Sequence, residues 1–136
     1  NFIILRLCNI YNGKKNGIIN NLTSSIIRKK KLFLTNSKAY RNYIYINDLL
    51  SIIIKMLNKK LKYKIYNIGF ENVKLNELIN HLKGKLKVKI NYYDRNMSLR
   101  KIPSQKISHS RIFKELKYTP KIKIKNYLTK KVYGKY

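Results

Sequence analysis

The chain has 136 residues, which is enough for one small domain or for part of a larger one. It carries 32 lysines and arginines against 5 acidic residues, for a net charge of +27, and its single cysteine excludes an internal disulfide and a cysteine cluster for a metal. No stretch reaches the roughly 18 apolar residues of a membrane helix. We therefore predict no membrane partner, and the lone cysteine fits a cytoplasmic location.

The net charge first suggests nucleic acid as a partner. Lys, Ile, Asn and Tyr, however, occur 26, 21, 17 and 12 times, and all four are encoded by A/T-rich codons. Lysine outnumbers arginine 26 to 6, whereas a protein selected to bind phosphates is expected to use the bidentate guanidinium more often. The composition therefore favours genomic drift over a selected nucleic-acid surface, and nonspecific binding of polyanions is expected either way.

Strands and helices are predicted to alternate along the chain, which indicates an α/β fold. In chain order the patterns predict a strand at 2–7, a helix from 18 into the basic run 28–31, strands at 32–34 and 43–46, a helix from 47 or 48 to about 59, a strand at 63–69, a helix at 74–82, a strand at 85–93, a helix from about 108 to 117 and a last helix from about 125.

The opening run 2–7 is apolar on both faces, which predicts a strand buried in a parallel sheet. The chain starts on this run without a Met, and we interpret it as a fragment whose preceding strands are missing. Asn12-Gly13 gives a strong turn signal, and Asn47 or Asp48 is the predicted N-cap of the following helix. No linker or repeat divides the chain, so residues 1–136 are interpreted as one unit.

The residues by themselves predict no self-contained catalytic site. The glycines match neither dinucleotide-binding nor P-loop spacing. His81 and His109 have no Cys or acidic partner at metal-ligand spacing, so no metal is predicted. Tyr-x-x-x-Lys pairs begin at Tyr11 and Tyr127, but about two such pairs are expected by chance in a chain this rich in both residues.

Six short segments stand in a characteristic order and spacing. They read "RLCNIYNG", "GIINNL", "LFLTN", "YRNYIYINDL", "YNIG" and "SRIFKELKYTP". Together they closely resemble the C-terminal part of the NAD-dependent epimerase/dehydratase family, whose members are extended short-chain dehydrogenases acting on nucleotide sugars. The resemblance covers essentially the whole chain.

The resemblance implies an α/β fold that is the C-terminal part of a Rossmann-type enzyme, with a small mixed sheet, flanking helices and the N-terminal dinucleotide-binding half missing. In the family that half binds most of the NAD or NADP and carries the Tyr/Lys catalytic pair. This portion is expected to bind a UDP-, dTDP-, GDP- or CDP-sugar and to be inactive alone. The full-length protein would be an isomerase or lyase, and a homodimer is compatible with the resemblance. The alternative is a non-catalytic nucleic-acid-binding protein, of the same fold or an unrelated one.

Four positions in the first two segments match family site residues. Asn9 matches the asparagine that hydrogen-bonds the substrate diphosphate region, and Cys8 matches the position whose backbone lies near the nicotinamide. A small buried hydrophobic role would explain Cys8 equally well. Asn21 and the backbone of Leu22 match the groups that contact the nucleotide, although Leu22 also lies on the apolar face of its helix.

Leu32 and Leu34 match the strand that lies along the base, through packing and backbone contacts. Arg41 matches the most characteristic residue of the region, an arginine that binds the diphosphate. A guanidinium can hold phosphates bidentately, and each charge-assisted bond contributes about 1.5–3 kcal/mol. A second arginine is expected at Arg95 or at Arg100, and Arg95 is preferred.

Two further positions depart from the family pattern, and one that matches it is expected to have a structural role. Asn42 stands where the family has an aspartate that could orient the arginine. Asp48 is in register with the family pattern and is expected to cap the next helix. Lys117 stands at the position of the family's helix-ending glycine, where a non-glycine residue that turned left-handed would destabilise the helix end by about 1 kcal/mol.

Overall fold

The computed structural model describes residues 2–12, 17–87, 90–95 and 103–134. In this part the chain is a mixed α/β structure. Its elements in chain order are β1 (Ile4–Leu7), β2 (Asn9–Tyr11), α1 (Ile18–Ile27), β3 (Leu32–Thr35), β4 (Tyr40–Tyr45), α2 (Ile46–Leu57), β5 (Ile65–Ile68), β6 (Glu71–Lys74), α3 (Leu75–Leu86), β7 (Tyr92–Arg95), α4 (Ser110–Leu116) and α5 (Ile124–Val132). None of the described helices is both long and apolar enough to cross a membrane.

The strands pair into small, mostly parallel sheets. β1 pairs in parallel with β5, and β3 pairs in parallel with β7. β2 pairs in parallel with β4, which in turn pairs antiparallel with β6, so the central sheet is mixed. Every parallel pair is joined through at least one helix, because parallel strands require a crossover connection.

Two hydrophobic clusters hold the elements together, one on each face of β4. Tyr43 points into the first cluster and Ile44 into the second, as successive strand residues do. The first cluster packs α1, α3 and α5 against β3 and β4, and the second packs α2 and α4 against β4 and β5. The most deeply buried members are Leu22, Leu78, Ile79, Leu82, Ile124 and Leu128 in the first and Ile44, Ile52 and Ile68 in the second.

The opening strand forms as predicted, but the prediction that it is buried on both faces is wrong. Ile4 and Leu7 in β1 are 45% and 48% exposed. One edge of β1 pairs with β5, and no other described strand pairs with it. The apolar run predicts the extended conformation, whereas burial depends on what packs against the strand.

Several boundaries differ from the prediction. β4 begins at Tyr40, three residues before the predicted strand, and Ile46 starts α2 instead of ending the strand. The strand predicted at 85–93 is wrong in its first residues, since α3 continues to Leu86; residues 88–89 lie outside the described part, and β7 begins at Tyr92. The short strand β6 was not predicted, because four residues carry little periodicity.

The prediction that Asn47 or Asp48 caps α2 is wrong. Tyr45 occupies the N-cap, and no side chain caps the helix. Asp48 is buried in the first turn, where the helix dipole favours a carboxylate. Its oxygens accept hydrogen bonds from the Tyr118 hydroxyl (2.8 Å) and from the backbone N–H groups of 121–122 (3.1 and 3.0 Å). Asp48 therefore fastens the segment after α4 to α2.

Lys117 adopts the left-handed conformation. This residue ends α4 with φ 50° and ψ 45°, where the family pattern has glycine. Asn12, after β2, also has a positive φ, of 68°, while Gly13 lies outside the described residues. Asparagine tolerates this conformation better than most residues do, and the turn at Asn12-Gly13 stays a prediction.

Candidate functional site

Asn9 and Arg41 come from separate segments of the sequence and lie close together where β2 meets β4. The parallel register places Asn9 opposite Tyr43. The Nδ2 group of Asn9 donates a hydrogen bond of 3.0 Å to the backbone oxygen of Asn42, the residue after Arg41. Asn9 is exposed and Arg41 is half-buried. The strand pairing thus places the Asn9 amide against the β4 backbone next to Arg41.

Two backbone carbonyls fix the guanidinium of Arg41. Its Nη1 donates hydrogen bonds of 2.9 Å to the oxygens of Tyr40 and Pro103. The guanidinium is planar and carries further N–H groups on Nη2 and Nε. Carbonyls orient the group without neutralising its charge. The ion pair found within the described residues joins Lys74 and Glu77 and does not involve Arg41. A pre-oriented guanidinium of this kind is suited to bidentate binding of phosphate or carboxylate.

Two lysines lie over the ring of Tyr40, the residue before Arg41. The Nζ atoms of Lys74 and Lys106 lie 4.7 and 4.2 Å from the centre of the Tyr40 ring. Contact with the ring face stabilises each ammonium. Tyr40 and Arg41 are successive residues of β4, so their side chains point to opposite faces of the strand. Lys74 also lies 3.9 Å from Glu77. The lysines therefore raise the positive potential around β4, but no contact found among the described residues joins them to the Arg41 guanidinium.

Asn42 has a role that explains why an amide stands in place of the family aspartate. Its side chain is 0% exposed. Oδ1 accepts a hydrogen bond of 3.2 Å from the backbone N–H of Phe70, and Nδ2 donates one of 2.9 Å to Oδ1 of Asn72. A carboxylate could accept the first bond, but when ionised it could not donate the second. The amide satisfies both partners in a buried place.

Cys8 precedes Asn9 and is half-buried against the second hydrophobic cluster. Its backbone N–H donates to the oxygen of Ile68 at 3.0 Å, and its thiol lies 3.5 Å from the oxygen of Asn9. Burial raises the pKa of the Cys8 thiol to about 12, so the group is neutral at physiological pH. A neutral thiol is a poor nucleophile, and Cys8 therefore serves as a small apolar surface.

The leucines assigned to the nucleotide site are core residues. Leu22, Leu32 and Leu34 are at most 3% exposed and belong to the first hydrophobic cluster. These values cover the whole residue, so the backbone of the three leucines is buried as well. Asn21 is exposed on α1, and no contact found among the described residues joins it to Arg41. The structure places Asn9 against the backbone next to Arg41, and the assignment of Cys8, Asn9, Arg41 and the other residues to a site stays a prediction.

Arg95 ends β7, and its backbone lies opposite Thr35 at the end of β3. The turn 36–39 leads from there into β4 and Arg41. The rival position, Arg100, lies outside the described residues, so the choice between Arg95 and Arg100 stays a prediction.

Structural partners are found for Tyr11, Tyr127 and His81, which the sequence assigned to no catalytic or metal site. Tyr11 and Tyr127 are buried, and their hydroxyls donate to the backbone oxygen of Ile122 (2.7 Å) and to Oδ1 of Asn12 (3.1 Å). Burial raises the pKa of Tyr11 well above its ordinary value, so this hydroxyl stays protonated. His81 lies 3.0 Å from the hydroxyl of Thr129. No group of three or more potential metal ligands is found among the described residues.

Two features were missed by the sequence analysis. The first is Asn72, whose side chain joins β6 to a segment 35 positions later. The second is a cleft of about 400 Å³ lined by Arg6, Ile65, Asn67 and residues 108–111, which contains none of the predicted site residues. Single asparagines and arginines give no signal in a chain with 17 asparagines and 32 basic residues.

Solved structures share this fold over nearly the whole chain. The UDP-glucuronic acid 4-epimerase of Bacillus cereus has a TM-score of 0.80 at 19% identity, and the match covers 98% of this chain and 46% of that one. The UDP-glucose 4-epimerase of Thermotoga maritima has a TM-score of 0.77 at 18% identity over 96% and 44%. RMD of Pseudomonas aeruginosa has a TM-score of 0.75 at 22% identity over 96% and 47%. The chain spans less than half the length of each, and the likeness concerns the fold.

A comparison with curated proteins gives no match. A model of the NAD dependent epimerase/dehydratase family, however, matches residues 1–69, just over half of the 136 residues. The matched part runs from β1 through β5 and contains both Asn9 and Arg41. The strand pairing that joins these two residues therefore lies within the matched region, and the chain belongs to the NAD-dependent epimerase/dehydratase family.

Proposed function

We propose that this chain is the nucleotide-sugar-binding portion of an NAD(P)-dependent epimerase or dehydratase. The observation that carries the proposal is the pairing of β2 with β4, which bonds the Asn9 amide to the backbone of Asn42, the residue after the half-buried Arg41. The structures of similar fold support this class of ligand: one was solved with UDP-glucose and another with UDP-glucuronic acid and NAD.

The substrate diphosphate would bind at Arg41. It carries two negative charges, and Arg41 offers a planar donor group held in place by neutral carbonyls. Lys74 and Lys106 strengthen the local positive potential. Asn9 would hydrogen-bond the diphosphate region as well, and a second arginine, Arg95 or Arg100, would also bind the diphosphate.

The nucleotide would lie toward α1 and β3. Asn21 offers an exposed amide there, whereas Leu22, Leu32 and Leu34 are buried and would shape the site from beneath. Apolar packing recognises little of the identity of a base, so the proposal covers UDP-, dTDP-, GDP- and CDP-sugars alike.

Cys8 would line the nicotinamide side of the site. The contact would come from its backbone, and its half-buried, neutral thiol adds no charge there. When bound, NAD or NADP accepts and returns a hydride. Most contacts to the dinucleotide, and the Tyr/Lys acid–base pair, would come from residues outside this chain, so this portion binds and orients the substrate.

The apolar surface around β1 supports a role as one portion of a larger enzyme. Phe2, Ile3, Ile4, Leu7 and Ile10 are 67%, 43%, 45%, 48% and 38% exposed. Apolar surface gains about 25 cal/mol per Å² when it is removed from water. In the proposal a dinucleotide-binding portion covers this surface and pairs with the second edge of β1.

The proposal is tested by Arg41→Ala in the full-length protein, with the dissociation constant for UDP measured by isothermal titration calorimetry. Losing one or two charge-assisted bonds should weaken UDP binding about 10- to 100-fold. The matched control is Arg28→Ala, an exposed arginine at the end of α1, which should bind UDP like the wild type. Equal UDP affinity of the two variants, with both folded by circular dichroism, would contradict the proposal.

A further inference from the structure

Residues 103–109, called the strap below, have no regular secondary structure but are bonded to the central sheet at several points. The oxygen of Pro103 accepts the bond from Arg41. The backbone N–H of Tyr40 donates to the hydroxyl of Ser104 (3.2 Å), and the N–H of Gln105 donates to the oxygen of Tyr40 (2.9 Å). The carbonyl that orients Arg41 therefore belongs to a segment whose own position must be fixed.

Asn72 fixes the middle of the strap. Its Oδ1 accepts a hydrogen bond from the backbone N–H of Ile107 (3.0 Å), and its Nδ2 donates one to the oxygen of the same residue (3.2 Å). One side-chain amide thus satisfies both backbone groups of Ile107, as a neighbouring strand would. These two hydrogen bonds hold the strap against β6.

Asn42 determines which way the Asn72 amide faces. The Nδ2 group of Asn42 donates to Oδ1 of Asn72 at 2.9 Å. If the Asn72 amide turned over, its Nδ2 would face two other donors and its Oδ1 would face the oxygen of Ile107, so all three bonds would be lost. Asn42 is itself fixed by the N–H of Phe70. The bonds form a relay from β4 through β6 to the strap.

We propose that Asn72 is a positioning residue for Arg41. It holds the strap so that the Pro103 carbonyl keeps the guanidinium in the orientation that binds a diphosphate. Asn72 acts through the strap, while Arg41 carries the charge. This inference rests on the proposed function, and it assigns a role in substrate binding to a residue outside the family's characteristic segments.

The test is a double-mutant cycle on UDP binding in the full-length protein, with wild type, Arg41→Ala, Asn72→Ala and the double variant. Asn72→Ala should weaken UDP binding about tenfold, less than Arg41→Ala does. If Asn72 acts through Arg41, the double variant should bind UDP no more weakly than Arg41→Ala. If the affinity losses of the two single variants multiply in the double variant, Asn72 acts independently of Arg41, and the inference is overturned.

The control is Asn67→Ala. Asn67 contacts the same strap by a longer bond of 3.4 Å to the oxygen of Ser108, at the end away from Pro103, and its loss should leave UDP affinity within about twofold of wild type. Hydrogen exchange at the Ile107 amide provides a second measurement, and Asn72→Ala should accelerate it. Faster exchange with unchanged UDP affinity would overturn the inference.

The two proposals fail in different ways. Wild-type protein that binds none of UDP, dTDP, GDP and CDP, or an Arg41→Ala protein that binds the nucleoside diphosphate normally, would overturn the proposed function and this inference with it. Binding that is lost in Arg41→Ala but kept in Asn72→Ala would overturn only the role of Asn72.

Discussion

The contact between Asn42 and Gly69 shows how one residue choice constrains another. A Cβ atom at position 69 would come 1.7 Å from Oδ1 of Asn42, far inside van der Waals contact. The Asn42 side chain cannot easily move, because Phe70 and Asn72 hold it in a buried place. Gly69 is therefore required by the space that the amide fills.

Gly69→Ala should consequently destabilise the protein by about 1–3 kcal/mol, the usual range for overpacking. The measurement is the free energy of unfolding in urea. On an Asn42→Ala background the carboxamide is gone, so the same substitution should have a smaller effect. Gly84→Ala, at a position with nothing within 4 Å of the added atom, is the control. Equal destabilisation in both backgrounds would contradict the proposed contact.

At the scale of elements, the few acidic side chains connect parts of the chain that are far apart in sequence. Asp48 binds the backbone of 121–122, Glu71 accepts a bond of 2.6 Å from the N–H of Ile124, and Glu115 accepts one of 2.5 Å from the N–H of Lys62. An unsatisfied N–H costs about 1–3 kcal/mol when buried, more than an exposed ion pair contributes. The acids therefore stabilise the structure mainly as acceptors for backbone donors.

Glu71 should make stability depend on pH. Burial raises the pKa of Glu71 despite the bond from Ile124 and the nearby Lys123 and Lys125. A raised folded-state pKa gives stability that is present below the unfolded pKa, about 4.3, and lost as the pH rises through the folded value. Glu71→Gln keeps an oxygen that can accept from Ile124 and carries no charge.

We therefore expect Glu71→Gln to be more stable than wild type at pH 7, with the difference shrinking toward pH 4. The free energy of unfolding in urea, measured at both pH values, checks this. Glu77→Gln is the control, because it removes an exposed carboxylate 3.9 Å from Lys74 and should give no gain at pH 7. At each pH, the free energy of unfolding of wild type is subtracted from that of Glu71→Gln. A difference that is smaller at pH 7 than at pH 4 would contradict the expectation.

At the scale of the whole molecule, the net charge of +27 is spread over many elements. Lysines from separate parts of the fold lie over aromatic rings: Lys31 over Phe33 at 6.0 Å, Lys55 over Tyr118 at 5.6 Å and Lys83 over Tyr92 at 5.2 Å. Dispersed charge of this kind attracts any polyanion weakly and provides no base-specific readout.

RNA binding by the protein should accordingly be nonspecific and fall steeply with salt, becoming negligible at about 0.3 M. Arg41→Ala removes one of 32 basic side chains and should leave RNA affinity almost unchanged, although it weakens UDP binding. Filter binding across a salt series, with two unrelated RNA sequences, measures both properties. RNA affinity that survives this salt concentration or selects one sequence would support the nucleic-acid-binding alternative instead.

The sequence by itself determined the family, most of the elements and the candidate anion-binding arginine. The order of short segments pointed to the epimerase/dehydratase family, and the spacing of apolar residues predicted α1, α3 and α4, because both signals are local along the chain. At Lys117 the family pattern indicated the helix end, whereas the left-handed conformation comes from the structure.

Only the tertiary structure decided the exposure of β1, the function of Asp48 and the relay from Asn42 to the strap. These features depend on partners 30 to 74 positions apart, such as Asn42 with Asn72 and Asp48 with Ile122. Hydrogen-bonding capacity can be read from a residue type, but the partner that satisfies it is set by how distant strands and helices pack. For Asn42, the amide that looked like a departure from the family pattern is the group that its buried neighbours require.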